Sequence, residues 1–274
     1  VINGIQTNGV LVNECWLDFF KENSFRIGVS LDGPQKFHDY YRRYPNGKGS
    51  FRDVMKSVEL FKKHNFPFGV VSVITDISVK YPDRVFEFFL ENEIHCVKFS
   101  RSIYKDECGR MQKGTTNPEE YGKFLLRIMD LWLAEDNPEI KFAPINEIFY
   151  SLIRGECIEE CMFSDSCGRF LVVNINGDIF SCSSEGRGGD EKFGNIQNGI
   201  NAAIESKQFK RYQERIVKIR LNCLKCRWYL MCKGGCTCDY GLAPSGRDER
   251  NALCKSLQRL FKKAKENLIR YDLA

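Results

Sequence analysis

Apolar and polar positions in the first half of the chain alternate between two rhythms, one of period two and one helical. Residues 1–12 form an extended run broken by Thr7-Asn8-Gly9, and Asn13 is placed to cap a helix with Cys15, Trp16, Phe19 and Phe20 on one side. Residues 25–30 read as a strand ending in the turn signal Leu31-Asp32-Gly33-Pro34. Ser50 is expected to cap a helix over 51–64, where Val54, Val58 and Phe61 recur at helical spacing. The β-branched run 66–75 predicts a strand, 81–92 a helix, and 94–100 a strand that closes the series. Strands alternating with helices at this spacing predict β/α units on a parallel sheet, an α/β fold whose ligands bind at the C-terminal ends of the strands.

The pattern then changes. Asn117-Pro118-Glu119-Glu120 opens a longer helix to about residue 134, and Pro138 and Pro144 mark a connection before a helix near 146–153. Residues 170–173 and 178–181 flank Asn174-Ile175-Asn176-Gly177, which predicts a hairpin. Beyond it lie Cys- and Gly-rich loops, a helix near 200–215 and an amphipathic C-terminal helix over about 253–270. The expected domains are 1–142 and 143–274, the second a small Cys-rich α+β domain.

With 274 residues, 43% of them hydrophobic, the chain can bury a sizeable core. Its apolar runs stay well short of the roughly 20 residues that span a bilayer. Its first residues lack the basic-then-apolar pattern of a leader. A soluble, cytoplasmic protein is expected, with no membrane partner. A net charge of +5 spread along the whole chain is too dilute to form the basic stripe that nucleic acid requires. Cysteine changes the picture more: residues 1–156 hold three (Cys15, Cys96, Cys108) and residues 157–274 hold ten.

In order, the second half gives Cys161-x5-Cys167-x14-Cys182, a gap of forty residues, Cys223-x2-Cys226-x5-Cys232-x3-Cys236, and then Cys254. Eight thiols make two sets of four. Disulfides suit a small secreted scaffold, which this chain does not resemble. Structural zinc suits Cys223-x2-Cys226, and with no His after His95 it would need thiolates or carboxylates. Iron–sulfur clusters need four thiolates from loops that wrap a cuboid, and Arg220, Lys225, Arg227 and Lys233 would offset the negative charge. Spacing alone leaves zinc and iron–sulfur open. Cys15 and Cys96, among apolar neighbours, are expected to pack in the core, and Cys108, Cys157 and Cys238 to be spare thiols. Of the histidines, His64 and His95 carry no ligand signal; Asp32 reads as a turn residue, and Arg101 as a solvated side chain or one at the mouth of the sheet.

The eight-cysteine run with Gly234-Gly235 before Cys236 resembles the SPASM domain of radical S-adenosylmethionine (SAM) enzymes. The first half agrees: Gln6-Thr7-Asn8-Gly9, Gly28-Val29-Ser30-Leu31-Asp32-Gly33-Pro34 and His38-Asp39-x2-Arg42 resemble middle strands of the radical SAM barrel, close to the anaerobic sulfatase-maturing enzymes. The resemblance implies a partial (β/α) barrel followed by a domain holding two auxiliary [4Fe–4S] clusters. It implies that Cys161, Cys167, Cys182 and Cys236 ligate the first, and Cys223, Cys226, Cys232 and Cys254 the second. It also implies that Ser30, Arg42 and, with less support, Gln6 contact SAM, Arg42 through a charge-assisted bond to a carboxylate. A peptide or protein substrate, and an electron donor such as flavodoxin or ferredoxin, are the partners it implies.

The chain departs from that family in two places. The CxxxCxxC motif that holds the radical SAM cluster is not in it, so the expectation is an N-terminally truncated oxidoreductase that would not cleave SAM as this fragment. In the sulfatase-maturing branch, an Asp directly after the third auxiliary cysteine resembles the catalytic base; here Ser183 stands there. A serine hydroxyl is a poor base at neutral pH. Asp165, Asp178 or Asp190 would have to substitute. The first expectation is therefore a maturase that cross-links or oxidises a ribosomal peptide by way of a 5′-deoxyadenosyl radical. The alternatives are formylglycine formation and a non-enzymatic, cluster- or zinc-bearing peptide-binding module.

Overall fold

The computed structural model describes residues 2–104, 106, 111–158, 160–164, 166–182, 192–240 and 250–270. Cys108, Asp165, Ser183 and Asp190 lie outside the described residues. The chain divides into two compact units, Val1–Ser102 with Phe124–Asn146, and Ile103–Lys123 with Glu147–Ala274.

The first unit is the α/β one. Its elements run β1 (Gly4–Thr7), α1 (Glu14–Glu22), β2 (Arg26–Ser30), α2 (Gln35–Tyr41), α3 (Phe51–Lys63), β3 (Phe68–Ile74), α4 (Pro82–Glu91) and β4 (Cys96–Arg101). After α5 (Pro118–Glu135) come β5 (Lys141–Ala143) and the helix expected near 146–153, α6 (Ile145–Arg154). All strands pair in parallel in the order β1-β2-β3-β4-β5, with Gln6 opposite Gly28 and Val70 opposite Val97. The alternation of strands and helices thus gives the parallel sheet that the sequence predicts.

Helix starts follow the local chemistry. Asn13 Oδ1 accepts the Trp16 N–H at 3.1 Å, and Asn117 Oδ1 accepts the Glu119 N–H at 2.8 Å. Ser50 precedes α3 but makes no side-chain cap; Asp39 Oδ1 accepts the Phe51 N–H at 2.8 Å in its place. The core is aromatic. Phe99 sits 5.5 Å from both Phe142 and Phe124, and Phe86 5.4 Å from Phe142, all edge to face, each ring worth about 1.5–3 kcal/mol by burial.

Three expectations fail here. Residues 94–100 do not close the series, because Lys141–Ala143 adds β5 beside β4; at three residues between Pro138 and Pro144 it is too short to show a period. Helix α1 buries Leu17 and Phe20, whereas Trp16 and Phe19 are about half exposed. Cys15 and Cys96 are exposed and not core: Cys15 lies off the Leu17–Phe20 stripe, and strand alternation buries Val97 and Phe99 rather than Cys96.

In the second unit, β6 (Val172–Val173), β7 (Asp178–Phe180) and β8 (Gly194–Asn195) pair antiparallel. Asn174 Oδ1 accepts the N–H groups of Asn176 and Asp178, both at 2.9 Å, and forms the predicted turn between β6 and β7. The helix expected near 200–215 is two, α7 (Ile200–Ile204) and α8 (Lys207–Cys223), because Ser206 Oγ accepts the Phe209 N–H at 3.0 Å and starts a new one. Beyond them lie the single turn α9 (Tyr229–Cys232) and the long helix α10 (Cys254–Arg270). Ile179, Phe193, Ala203, Tyr212 and Ile216 form one apolar cluster, and Phe163 and Trp228 both pack on Phe261, the first edge to face and the second tilted. These anchors fix the cysteine loops.

Candidate functional site

Two groups of candidate site residues stand out, one in each unit. In the first unit, Gln6 lies on β1 and Ser30 ends β2, and the Gln6 side-chain amide donates to Ser30 Oγ at 3.1 Å. The Gln6 amide lies directly over Gly28, where any Cβ would collide with its oxygen.

Arg42, at the end of α2, is held by Asp32: Nε donates to Oδ2 at 2.6 Å and Nη2 to Oδ1 at 3.0 Å. Asp32 is 3% exposed and also accepts the Val73 N–H at 3.0 Å. Asp32 is therefore more than a turn residue. The pair is bidentate, and two of the five guanidinium N–H donors are spent on it.

Behind Asp32 lies a second relay. The Asp32 N–H donates to His38 Nδ1 at 3.3 Å, so the ring proton sits on Nε2, which is 3.0 Å from Ser50 Oγ. Ser50 in turn donates to the Arg42 carbonyl at 3.1 Å. Burial pushes the fully buried His38 below its usual value, against the charge of Asp32. A neutral imidazole thus ties the loop after β2 to the backbone of Arg42, while Asp32 ties its side chain. The sequence signal was present in His38-Asp39-x2-Arg42, but spacing could not show that Asp32 is their hub.

In the second unit, Cys223 ends α8, Cys226 follows, Cys232 ends α9 and Cys254 begins α10. These four thiols line one cavity of about 410 Å³, with Trp228, Tyr240 and Arg250 also in its wall. The set named from sequence for the second cluster is thereby brought together. Among the described residues no group of three or more His, Cys, Asp or Glu side chains is arranged to hold a metal ion. Burial pushes the Cys232 thiol up to about 12 and raises Cys223, so both keep their protons until a cationic group displaces them. Gln258 donates to Cys254 Sγ at 3.4 Å, and Tyr240 OH, bonded to the Gly234 carbonyl at 2.7 Å, lies 4.0 Å from Cys223 Sγ.

Lys233, Gly234 and Gly235 all have positive φ, at 50°, 92° and 78°, and reverse the chain between α9 and Cys236. At Gly235 a Cβ would lie 2.6 Å from Asn251 Nδ2, the amide that donates to the Cys236 carbonyl at 3.0 Å. Of the basic residues expected to offset cluster charge, Arg227 lies over the Trp228 ring at 5.0 Å and Lys233 over Tyr229 at 5.1 Å. Arg250, not singled out from sequence, lines the cavity.

The other set is brought together in part. Cys167 Sγ lies 3.7 Å from Thr237 Oγ1, adjacent to Cys236, and Cys182 Sγ lies 3.7 Å from the Sγ of Cys238, two residues after Cys236. Cys161 is exposed. Cys238, expected to be a spare thiol, is buried among the others, and only folding of the 236–239 turn places it there.

Residues 2–89 match the Radical SAM superfamily profile. A serine-type anaerobic sulfatase-maturating enzyme of Bacteroides thetaiotaomicron is 31% identical across 94% of this chain, and a cysteine-type one of Clostridium perfringens 27% identical across 98%. The chain spans 66% of the first relative's length and 73% of the second's. Among solved structures, native anSMEcpe with bound AdoMet and Kp18Cys peptide superposes with a TM-score of 0.80 at 26% identity, covering 98% of this chain and 75% of that one. The parallel α/β unit carries a Radical SAM superfamily domain over residues 2–89, and the likeness to anaerobic sulfatase-maturating enzymes runs along nearly the whole chain.

Proposed function

We propose that the protein is a radical SAM/SPASM maturase that modifies a side chain of a peptide or protein, with SAM at the strand ends of the first unit and two auxiliary [4Fe–4S] clusters in the second. The observation that carries this reading is the convergence of Cys223, Cys226, Cys232 and Cys254 on one cavity. Its donor set of four thiols suits a thiolate-ligated cluster. Cys161, Cys167, Cys182 and Cys236 would hold the other. A solved relative that binds both AdoMet and a peptide supports a peptide substrate.

SAM, reduced by one electron from a cluster on a CxxxCxxC segment that this chain does not carry, would supply the 5′-deoxyadenosyl radical that takes hydrogen from the substrate. This chain's residues bind and orient. Gln6 and Ser30 offer a polar pair at the ends of β1 and β2, and Arg42, pinned by Asp32, presents its remaining donors to a carboxylate. The auxiliary thiolate sites place electron acceptors in the second unit, and an electron donor such as flavodoxin or ferredoxin would complete the cycle.

Two products fit this chemistry. Cross-linking or oxidation of a ribosomal peptide is favoured by Ser183, which stands where the sulfatase-maturing branch carries an Asp. Asp178, a possible substitute base, is held by Lys192 at 2.5 Å and by Asn195 Nδ2 at 2.9 Å. Lys192 keeps its carboxyl below the usual carboxylate range, so it is a weak base engaged in structure. Formylglycine formation, the second reading, is favoured by the relatives at 31% and 27% identity. In a form that also carries a CxxxCxxC segment, incubating the holoenzyme with SAM, a reductant and a serine-bearing sulfatase-motif peptide, followed by mass spectrometry, separates them. Loss of two hydrogens with an aldehyde that a hydrazide captures indicates formylglycine. An unmodified sulfatase peptide, together with loss of two hydrogens and no aldehyde from a ribosomal precursor peptide, indicates a cross-link.

A further inference from the structure

A ninth sulfur stands within the first thiol set. Cys238 lies in the turn Thr237–Asp239, is 8% exposed and has its Sγ 3.7 Å from that of Cys182. Cys236 lies two residues before it, at the start of the same turn. The same turn carries Thr237, whose Oγ1 is 3.7 Å from Cys167 Sγ and 3.4 Å from the Tyr212 hydroxyl. One short turn therefore starts at Cys236 and touches Cys167 and Cys182.

We propose that the Cys238 thiol donates its S–H to the ligand sulfur of Cys182 and so sets the reduction potential of the first auxiliary cluster. It is a positioning residue and not a ligand. The inference rests on the reading that Cys182 and Cys236 hold that cluster. The distance separates the two roles. Each ligand of a [4Fe–4S] cube takes its own corner iron and points outward, so ligand sulfurs stand well apart, whereas two sulfurs 3.7 Å apart are in contact, as a thiol donor and a thiolate acceptor are. The charge logic gives the sign. A hydrogen bond to a thiolate stabilises the form of the cluster with one more negative charge, so it favours reduction, and removing it lowers the potential.

The test is iron analysis together with an EPR-monitored redox titration of the anaerobically reconstituted protein, as wild type, Cys238→Ala and Cys238→Ser. The expected result is about eight auxiliary irons in all three. In Cys238→Ala, one cluster signal moves to lower potential by about a tenfold change in its reduction equilibrium, about 59 mV for one electron. Cys238→Ser keeps an O–H donor and returns toward the wild-type value. An unchanged potential in Cys238→Ala overturns the inference. So does a fall to about four irons in Cys238→Ala and Cys238→Ser, which would make Cys238 a ligand. Failure of the underlying reading is distinct, because it shows in the wild type as the absence of the eight irons.

Discussion

At the scale of single residues, the pairing around Arg42 is the feature with the clearest consequence. Arg42, His38 and Asp39 were legible as a motif, but their roles were not: the His38 ring, Ser50 and Asp32 form one chain of hydrogen bonds that fixes Arg42 from both ends. Ser50 shows why sequence falls short. A serine before a helix reads as a cap, yet its hydroxyl is used on His38 and Arg42, and Asp39 supplies the cap. Because burial favours neutral His38, the unfolded chain takes up the ring proton first as pH falls. The stability this site contributes is full above the ordinary histidine value of 6.5 and declines below it, levelling once folded His38 protonates too. The charged groups that act on the ring are Asp32, Asp39 and Arg42. Urea denaturation between about pH 7.5 and about pH 5.5 should show a decline in wild type that is smaller in His38→Gln, whose amide keeps a donor but does not titrate there.

At the scale of elements, long periodic segments were readable and short or interrupted ones were not. Helices α3 and α4 and strands β2 to β4 lie where the apolar rhythm puts them, because burial of one face dictates that rhythm. Strand β5 is three residues long, and the break between α7 and α8 turns on the single hydroxyl of Ser206. The turn at Lys233-Gly234-Gly235 is legible in part: the glycine pair marks a reversal, while the reason it must be glycine is the Asn251 amide packed against Gly235. Gly235→Ala should cost about 1–2 kcal/mol from the left-handed backbone alone, and more from the displaced amide. Gly47→Ala is the control, with φ of 80° and nothing within 4 Å of its Cβ, so it carries only the backbone cost. Urea midpoints of the two variants should differ in that order, and equal losses would remove the packing part of the argument.

At the scale of the whole molecule, two units carry two kinds of site. Gln6, Ser30 and Arg42 belong to a parallel sheet whose strand ends offer polar groups, and the late cysteines belong to loops pinned by α8, α9 and α10. The grouping of Cys223, Cys226, Cys232 and Cys254 was legible as spacing, because helix ends hold them in sequence order around one cavity. The place of Cys238 was not, since nothing in its spacing marks a thiol that folding buries against Cys182. The central claim is that eight of these thiols hold two iron–sulfur clusters. Iron, sulfide and zinc analysis of the anaerobically reconstituted chain tests it most directly. The prediction is about eight irons and eight sulfides per chain, falling to about four of each in Cys232→Ala, while zinc without iron in the wild-type chain would contradict it.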